Sequence, residues 1–463
     1  MFNEAKKICK ILNKNGFKAF FVGGCVRDTF MHTEPHDIDI TTDAKPEDIQ
    51  KIFTDHIDTG LKHGTVSVRI VPHGEFFEVT TFRIDGKYED GRHPDEVIFV
   101  TDVKDDLARR DFTINAIAFD PITNSYTDPF NGKDDINAKI IKAVGNAKDR
   151  FMEDPLRVLR AMRFAIKLGF TIENNTAEAM HDTEVLNKLA NCISKERITE
   201  ELRKMLTCSN PIRDIFTEFS DIVAIIIPEI KPCINAPHNS IWHPHDIYDH
   251  ILHVVDNCNT NKFEIKLAAL LHDIGKPSSR IHDNEHNCDH FYGHPVISEK
   301  IAAQVFDKDL RVSKDEETLI RQLILEHDRE INPTLKSIRR FISNYSLDFV
   351  YDWIIIKDAD IKDHKAPKGF EAKFNDTLYR FMLFQHNLNT VIQEDSAFTV
   401  KDLEINGNDI MAILNIKPGP IIGKILNELL DDIIEERIDN NKDELINIIT
   451  SRYIPGCTRI NQN

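Results

Sequence analysis

The 463-residue sequence has no apolar run near the roughly 18 residues that a membrane-spanning helix needs. A run such as IVAIII, residues 222–227, is far too short. Its N-terminus, MFNEAKKICKILNKNGF, lacks the apolar core and small-residue cleavage site of a secretory leader. Cysteine is sparse: the eight present are spaced singly, with no CxxC pair, which excludes a disulfide-dense scaffold. These absences together predict a reducing, cytoplasmic setting with no membrane partner. Positive charge is also in deficit. With 58 Lys and Arg against 76 Asp and Glu, the net charge of −18 excludes a uniformly basic nucleic-acid surface and leaves room only for a local basic groove. At 41% apolar and 29% charged residues, with 18 Gly and 19 Pro, the chain is neither collagen-like nor disordered. Its length predicts two to four domains.

The first 140 residues carry a mixed α/β pattern. AFFVGG, PHDIDITT, TVSVRIV and EFFEVTTF read as strands, several with period-two alternation. In PHDIDI, Asp37 and Asp39 stand two apart and point to one face of the expected strand, while Ile38 and Ile40 face the core. Two carboxylates so placed repel each other unless wet, protonated or bridged. A divalent cation relieves the repulsion, and all-oxygen ligands favour Mg²⁺. Glu78, on another expected strand, offers a third carboxylate. Upstream, Gly23 and Gly24 lie between a strand and a helix entry, where glycine lets phosphates approach the backbone. Neither a GxxxxGK[ST] loop nor a GxGxxG fingerprint is present. Arg27 and Asp28 follow, suited either to locking this turn or to touching substrate. RIDGKYEDGRHPDEV, residues 83–97, reads as a mobile polar loop.

The ordered set GGCVRD, DID, Glu78 and RRDFTINA resembles the catalytic head of polymerase-beta-like nucleotidyltransferases. Within them it is similar to the bacterial class II CCA-adding tRNA nucleotidyltransferases and their poly(A) polymerase relatives. The resemblance runs from about residue 20 to residue 206. It implies that Asp37 and Asp39 bind two metals with Glu78 as the third catalytic carboxylate. It further implies that Arg110 and Asp111 hold the incoming triphosphate and sugar, and that Asn115 supports that pocket. Arg109 is suited to phosphate or to an ion pair with Asp105 or Asp106.

From about residue 150 the pattern turns helical. Asp154 and Pro155 suit a helix start. Leu156, Leu159, Met162 and Ile166 then form an apolar stripe, with Arg157, Arg160, Arg163 and Lys167 expected on an exposed basic face. Residues 139–167 hold eight Lys or Arg against three Asp or Glu, a local reversal of the overall charge. An Asp carboxylate accepts from an exocyclic amine while Arg donates to a ring acceptor. The run Glu153, Asp154, Arg157 resembles the EDxxR signature of the same family, which implies that Asp154 and Arg157 read both CTP and ATP, with Arg160 beside them in the nucleotide pocket. Arg197 and Glu200 resemble the last motif of this region, with Glu200 an architectural partner.

PEIKPCINAPHNSIWHPHD, with four Pro in 19 residues, marks a boundary. Beyond it, ten of the 20 His fall between His238 and His294. IKLAALLHDIGKP places His272 and Asp273 at a helix end, where imidazole and carboxylate can share a cation. His250, His294, His327 and Asp360 are more distant candidates. This order resembles an HD phosphohydrolase domain and implies a core ligand set of His250, His272, Asp273 and Asp360, with His294 and His327 as additional ligands. Mixed N/O donors admit Mg²⁺, Mn²⁺, Ni²⁺ or Fe²⁺. His243, His245, His253, His282, His286 and His290 are expected to thicken the pocket without a catalytic role. Beyond Gly369, NGNDI and KPGPIIG read as turns into helices, consistent with a tail that contacts tRNA.

The expected architecture is an α/β head at residues 1–145, a helical neck at 146–232, an HD-like body at 233–365 and a helical tail at 366–463. The expected function is template-independent addition of C, C and A to tRNA 3′ ends from CTP and ATP. Alternatives are A-adding or CC-adding enzymes, a poly(A) polymerase, an HD phosphohydrolase, or an RNA-binding protein with an inactive head.

Overall fold

A computed structural model describes residues 1–35, 37–85, 97–240, 242–366, 368–393 and 399–454. The polar loop expected at residues 83–97 is described only at its two ends; residues 86–96 lie outside the described set. The chain divides into two compact units, Met1–Lys231 with Gln304–Ser313, and Pro232–Ala303 with Lys314–Asn463.

The first unit is built on β1 (Ala19–Val22), β2 (Asp39–Thr42), β3 (His56–Gly60), β4 (Thr65–Val68), β5 (Phe77–Thr81), β6 (Arg83–Asp85), β7 (Val97–Phe99), β8 (Ala118–Asp120) and β9 (Ser125–Thr127). Seven form one sheet in the order β3-β4-β5-β2-β1-β8-β9, and β6 pairs with β7 in a separate two-stranded ladder. β1 is antiparallel to β2, whereas β2 and β5 run parallel with Ile40 opposite Val79. The β3–β4 hairpin is the intervening connection that a parallel pair requires. Phe21, Val22, Ile40, Val66, Val68, Val79 and Phe82 are buried. The alternation read from the sequence holds in β5, whereas β1, β2 and β4 are buried at consecutive positions, Thr41, Thr42 and Ser67 included, and so are covered on both faces.

Downstream, a short parallel pair, β10 (Ile140–Ile141) and β11 (Thr171–Ile172), brackets the helix Leu156–Leu168. That helix departs from expectation. Its arginines do not form an exposed face, because Arg157 and Arg163 are buried along with Leu156, Val158, Leu159, Ala161 and Met162. Only Lys167 is fully exposed among its basic residues. A charged face is buried here because each guanidinium meets a carboxylate or carbonyl, as described below.

In the second unit, Asp246 caps the helix Ile247–Asn257, its carboxylate accepting from the Asp249 N–H at 2.8 Å. The helix Phe263–Leu271 is buried at every position but Glu264 and is apolar apart from Glu264 and Lys266, so it lies inside a helical body. Gly275 follows at a point of close approach. A Cβ there would lie 2.6 Å from the Ser298 backbone nitrogen and 2.9 Å from the His294 carbonyl oxygen, in the turn that begins the helix His294–Lys308. The tail has its own apolar cluster, including Leu403, Ile410, Ile425, Leu429, Leu445 and Ile449. The two turn motifs expected there do lead into the helices Gly407–Leu414 and Pro420–Ile434.

Gly275→Ala should therefore lower the unfolding free energy by about 1–3 kcal/mol, because backbone rather than a flexible side chain must yield. Gly423→Ala, in a helix with nothing within 4 Å of the new methyl, should instead be neutral or stabilise by up to about 1 kcal/mol. Denaturant titration of the two variants side by side tests the contrast.

Candidate active site and candidate metal centre

Asp39 opens β2, and its neighbour across the parallel ladder is Glu78, one step before the Ile40–Val79 pair. The strand begins at Asp39, so Asp37 lies just ahead of it rather than within it. All three carboxylates nevertheless line one cavity of about 550 Å³, together with Gly74, Glu75 and Phe76. Burial, with Asp37 and then Glu78 adding to it, pushes the Asp39 carboxyl up to about 6, against the pull of Arg110. A divalent cation among these oxygens would remove the repulsion that raises it.

Gly23, with φ +75°, sits at the edge of this cluster. A Cβ there would lie 3.2 Å from Arg110 Nη1 and 3.6 Å from Asp39 Oδ2. Its missing side chain is what lets Arg110 and the carboxylate come together. Gly24 begins the short helix Gly24–Phe30, and its own added Cβ would meet Arg27 Nη2 at 3.5 Å. Arg27 is buried: Nε and Nη2 donate to Asp28 Oδ1 at 2.9 and 2.7 Å, and Nη1 donates to Asn115 Oδ1 at 2.9 Å. Arg27 thus holds Asn115, which in turn donates to Asp111 Oδ1 at 3.2 Å.

A second cavity, about 330 Å³, is lined by Arg83, Arg109, Arg110, Asp111, Asp154, Leu156, Arg157, Arg160 and Arg197. Six guanidiniums around so small a space suit a polyphosphate. Each is braced by an acceptor. Arg109 pairs with the fully buried Asp106 at 2.7 Å, and Arg110 reaches its other oxygen at 3.4 Å. Arg160 Nε donates to Asp111 Oδ2 at 2.9 Å, with Nη2 closing the same pair. Burial pushes the Asp111 carboxyl up, but Arg160, then Arg157 and Asn115, outweigh it and hold the group well below the usual carboxylate range. Arg157 donates to Glu153 Oε2 at 2.7 Å and to the Arg150 and Arg109 carbonyls at 3.1 Å each. Asp154 accepts from Leu156 N–H at 3.1 Å and from Arg197 at 2.9 Å. Asp154 and Arg157 therefore face the cavity from separate supports. Glu153 and Asn115 are absent from its lining and act behind it. Arg110 Nε is buried with no partner, a donor left for a ligand.

Sequence reasoning missed two residues here. The sequence marks Arg83 only as the start of a polar loop, yet it lines this cavity. Glu201, not Glu200, carries the architectural ion pair, accepting from Arg163 Nε at 2.6 Å with both side chains buried, while Glu200 meets Lys204 at the surface. One helical step separates the two glutamates, and charge alone does not say which faces inward.

The second unit brings the expected histidines together. His250, His272, Asp273, His294, His327 and Asp360 arrive from five helical segments and are all buried. His250 Nε2 lies 3.1 Å from Asp273 Oδ2 and 3.4 Å from Asp360. His272 Nε2 lies 3.2 Å from Asp273 Oδ2, and His294 and His327 approach Oδ1 at 3.2 and 3.6 Å. Two triads with ligand-compatible spacing result, His250–His272–Asp273 and Asp273–His294–His327, sharing one carboxylate. Each ring is aimed from behind. Nδ1 of His272, His294 and His327 contacts the Ala269, Phe291 and Ile324 carbonyls at 2.7–2.8 Å, and His250 Nδ1 contacts Asp363 at 2.7 Å. Such anchoring leaves Nε2 for a cation. Lys276 stands 2.5 Å from Asp273, yet neither buried Asp273 oxygen completes an aligned hydrogen bond. The donor set thus fits one or two divalent ions. Burial works against charge on His250, but Asp273 and Asp363 outweigh it and push its pKa up to about 9. Asp363 and Lys276 were not anticipated; Asp363 follows Asp360 by three residues on the same helix, a spacing that was legible.

Comparison with known proteins follows the same division. Models of the poly A polymerase head domain, the RNA and SrmB-binding site of polymerase A, the HD domain and tRNA nucleotidyltransferase domain 2 match residues 19–142, 169–232, 242–363 and 376–449. A CCA-adding enzyme of Staphylococcus haemolyticus is 33% identical over 450 residues, covering 96% of this chain and 97% of that one. The chain belongs to the CCA-adding enzyme family. Another CCA-adding enzyme, from Oceanobacillus iheyensis, is 49% identical over 204 residues, 44% of this chain and 50% of its own length. Among solved structures, the Bacillus stearothermophilus CCA-adding enzyme in complex with CTP superposes with a TM-score of 0.69 at 26% identity, covering 97% of each chain. No helix among the described residues is long and apolar enough to cross a membrane.

Glu201→Ala should strand a buried guanidinium and destabilise the first unit by about 3–5 kcal/mol, whereas Glu200→Ala should change stability by less than about 0.5 kcal/mol. Thermal denaturation of both variants distinguishes the supporting glutamate from its surface neighbour.

Proposed function

We propose that the chain adds C, C and A in turn to tRNA 3′ ends, drawing on CTP and ATP and on divalent metal ions, without a nucleic-acid template. The observation that carries this reading is the pairing of a three-carboxylate cavity with an arginine-lined cavity through one residue, Arg110. The full-length match to CCA-adding enzymes supports it. The free thiols of all seven described cysteines support a reducing, cytoplasmic setting. We assign catalysis to the head, 1–145, nucleotide selection to the neck, 146–232, a metal-binding body to 233–365 and tRNA contact to the tail, 366–463.

Asp37, Asp39 and Glu78 would hold Mg²⁺, which when bound makes the terminal 3′-hydroxyl more acidic and neutralises charge on the phosphates. Arg110 turns its unpartnered Nε to the triphosphate, with Arg109 beside it and Gly23 leaving room for the phosphates. Asp111 fixes Arg160, and Asn115 and Arg27 fix Asp111. Cytosine and adenine both present an amino group where uracil and guanine present a carbonyl. Asp154 accepts from that amine and Arg157 donates to the neighbouring ring nitrogen, which admits C and A and rejects U and G. Glu153 keeps Arg157 in this orientation.

Asp37→Ala and Asp39→Ala should each lower nucleotide incorporation by about 10³-fold or more while leaving tRNA affinity nearly unchanged. Glu78→Ala should impair the same step. Near wild-type incorporation at saturating Mg²⁺ would remove these residues from the centre. With tRNAs ending before CCA, after C and after CC, sequencing of products should show full CCA on each. Addition to the CC-ended substrate alone would instead identify an A-adding enzyme, and unlimited A a poly(A) polymerase.

A second reading concerns the body. The buried histidine centre opens on a cavity of about 330 Å³ that also exposes Lys276, Asp328 and His364, an arrangement suited to metal-dependent hydrolysis of a phosphoester. Its imidazole-rich donors favour Mn²⁺, Fe²⁺ or Ni²⁺ over Mg²⁺. The variant H272A/D273A should lose hydrolysis of cyclic phosphates and phosphomonoesters and keep nucleotide addition. Absence of any hydrolysis by the wild type across these metals would leave this region a scaffold.

A further inference from the structure

A third group of metal-binding side chains lies outside both sites. In the second unit, β12 (Ile281–Asp283) and β13 (Cys288–His290) form a short antiparallel hairpin. Its register places Asp283 opposite Cys288 and Ile281 opposite His290. Side chains alternate along a strand, so Asp283, Cys288 and His290 share one face, while His282 and Asp289 take the other. There His282 Nδ1 and Asp289 Oδ1 pair with each other at 2.7 Å.

On the first face the donors converge. Cys288 Sγ lies 3.8 Å from His290 Nε2, and His290 Nε2 lies 3.7 Å from Asp283 Oδ2. His286, from the connecting turn, places Nδ1 2.8 Å from the same carboxylate oxygen. In a tetrahedral zinc site, with Zn–S near 2.3 Å and Zn–N or Zn–O near 2.0–2.1 Å, adjacent ligand atoms stand about 3.3–3.6 Å apart. The ligand atoms of Asp283, Cys288 and His290 all lie within 4.8 Å of one another, and the two contacts given for them need close by only a few tenths of an ångström. His286 meets the Asp283 carboxylate alone and orients it. Three donors within eight residues, one of them sulfur, match a soft or borderline cation; the all-oxygen head centre and the histidine centre lack a sulfur donor. None of these residues belongs to either triad of the histidine centre.

We infer that this hairpin binds one zinc-class divalent cation through Asp283, Cys288 and His290, with His286 holding the Asp283 carboxylate in place. The consequence for the body is local. The Asp289 N–H donates to the Asn239 carbonyl at 3.0 Å, and Asp289 and His290 line the cavity of the histidine centre. A cation on the hairpin fixes one wall of that cavity without touching its ligands.

The test uses the full-length chain, stripped of metal and titrated with Co²⁺ as a spectroscopic substitute for zinc. Thiolate-to-cobalt charge transfer absorbs in the near-ultraviolet only where sulfur is a ligand. The band should appear in the wild type, disappear on addition of Zn²⁺, and be absent in Cys288→Ser, a near-isosteric change at a half-buried surface position. Elemental analysis after Zn²⁺ loading should give about one equivalent less per chain in Cys288→Ser. His290→Ala should weaken the band. A wild type that shows no charge-transfer band at saturating Co²⁺, or an undiminished band in Cys288→Ser, overturns the assignment.

Discussion

A guanidinium aimed into a cavity has to be held in place, and in this chain the holding groups are carboxylates, buried at Asp106, Asp111 and Glu201 and half-buried at Asp154. Asp106 carries Arg109 and Arg110, Asp111 carries Arg160, Asp154 carries Arg197, and Glu201 carries Arg163. This explains how a chain of net charge −18 builds a positive pocket. Asp106 stands behind its two arginines, whereas Asp111 and Asp154 share the cavity wall with theirs; each neutralises its guanidinium in part and leaves the remaining donors for a ligand. A buried ion pair contributes little net stability compared with an apolar pair of equal size, but losing one partner is costly. Such pairs therefore fix orientation more than they stabilise the fold.

The histidine centre uses another solution to the same problem. Its rings are fixed by backbone carbonyls three residues upstream, at the ends of helices, and only His250 leans on a carboxylate, Asp363. Carbonyls are neutral, so they orient the rings without adding charge to a site that already contains Asp273 and Asp360. Lys276, 2.5 Å from Asp273, is the fixed positive charge beside these carboxylates.

Much of this was legible in the sequence because the informative residues sit at fixed short spacings. DID and HD pin their partners to one element, and β5 alternates clearly. What escaped was set by tertiary packing. The arginine-bearing helix Leu156–Leu168 was expected to expose its basic side, but the surrounding elements supply an acceptor to each buried guanidinium and its amphipathic pattern misleads. The choice between Glu200 and Glu201, and the recruitment of Arg83, depended on which side of a helix or loop meets a distant neighbour. Asp37 fell outside its expected strand because β2 starts at the second aspartate, although the cavity still gathers both.

The parallel pairing of β2 with β5 has a consequence for how the head comes into being. Asp39 and Glu78 are separated by a complete hairpin, so the extended chain has no three-carboxylate site to offer. The site exists only once that crossover has closed, and closure of a long connection is entropically slow. A cation that binds there binds the folded head alone, and its free concentration therefore sets part of the head's stability by mass action. A divalent ion held there would be a folding ligand as well as a reagent.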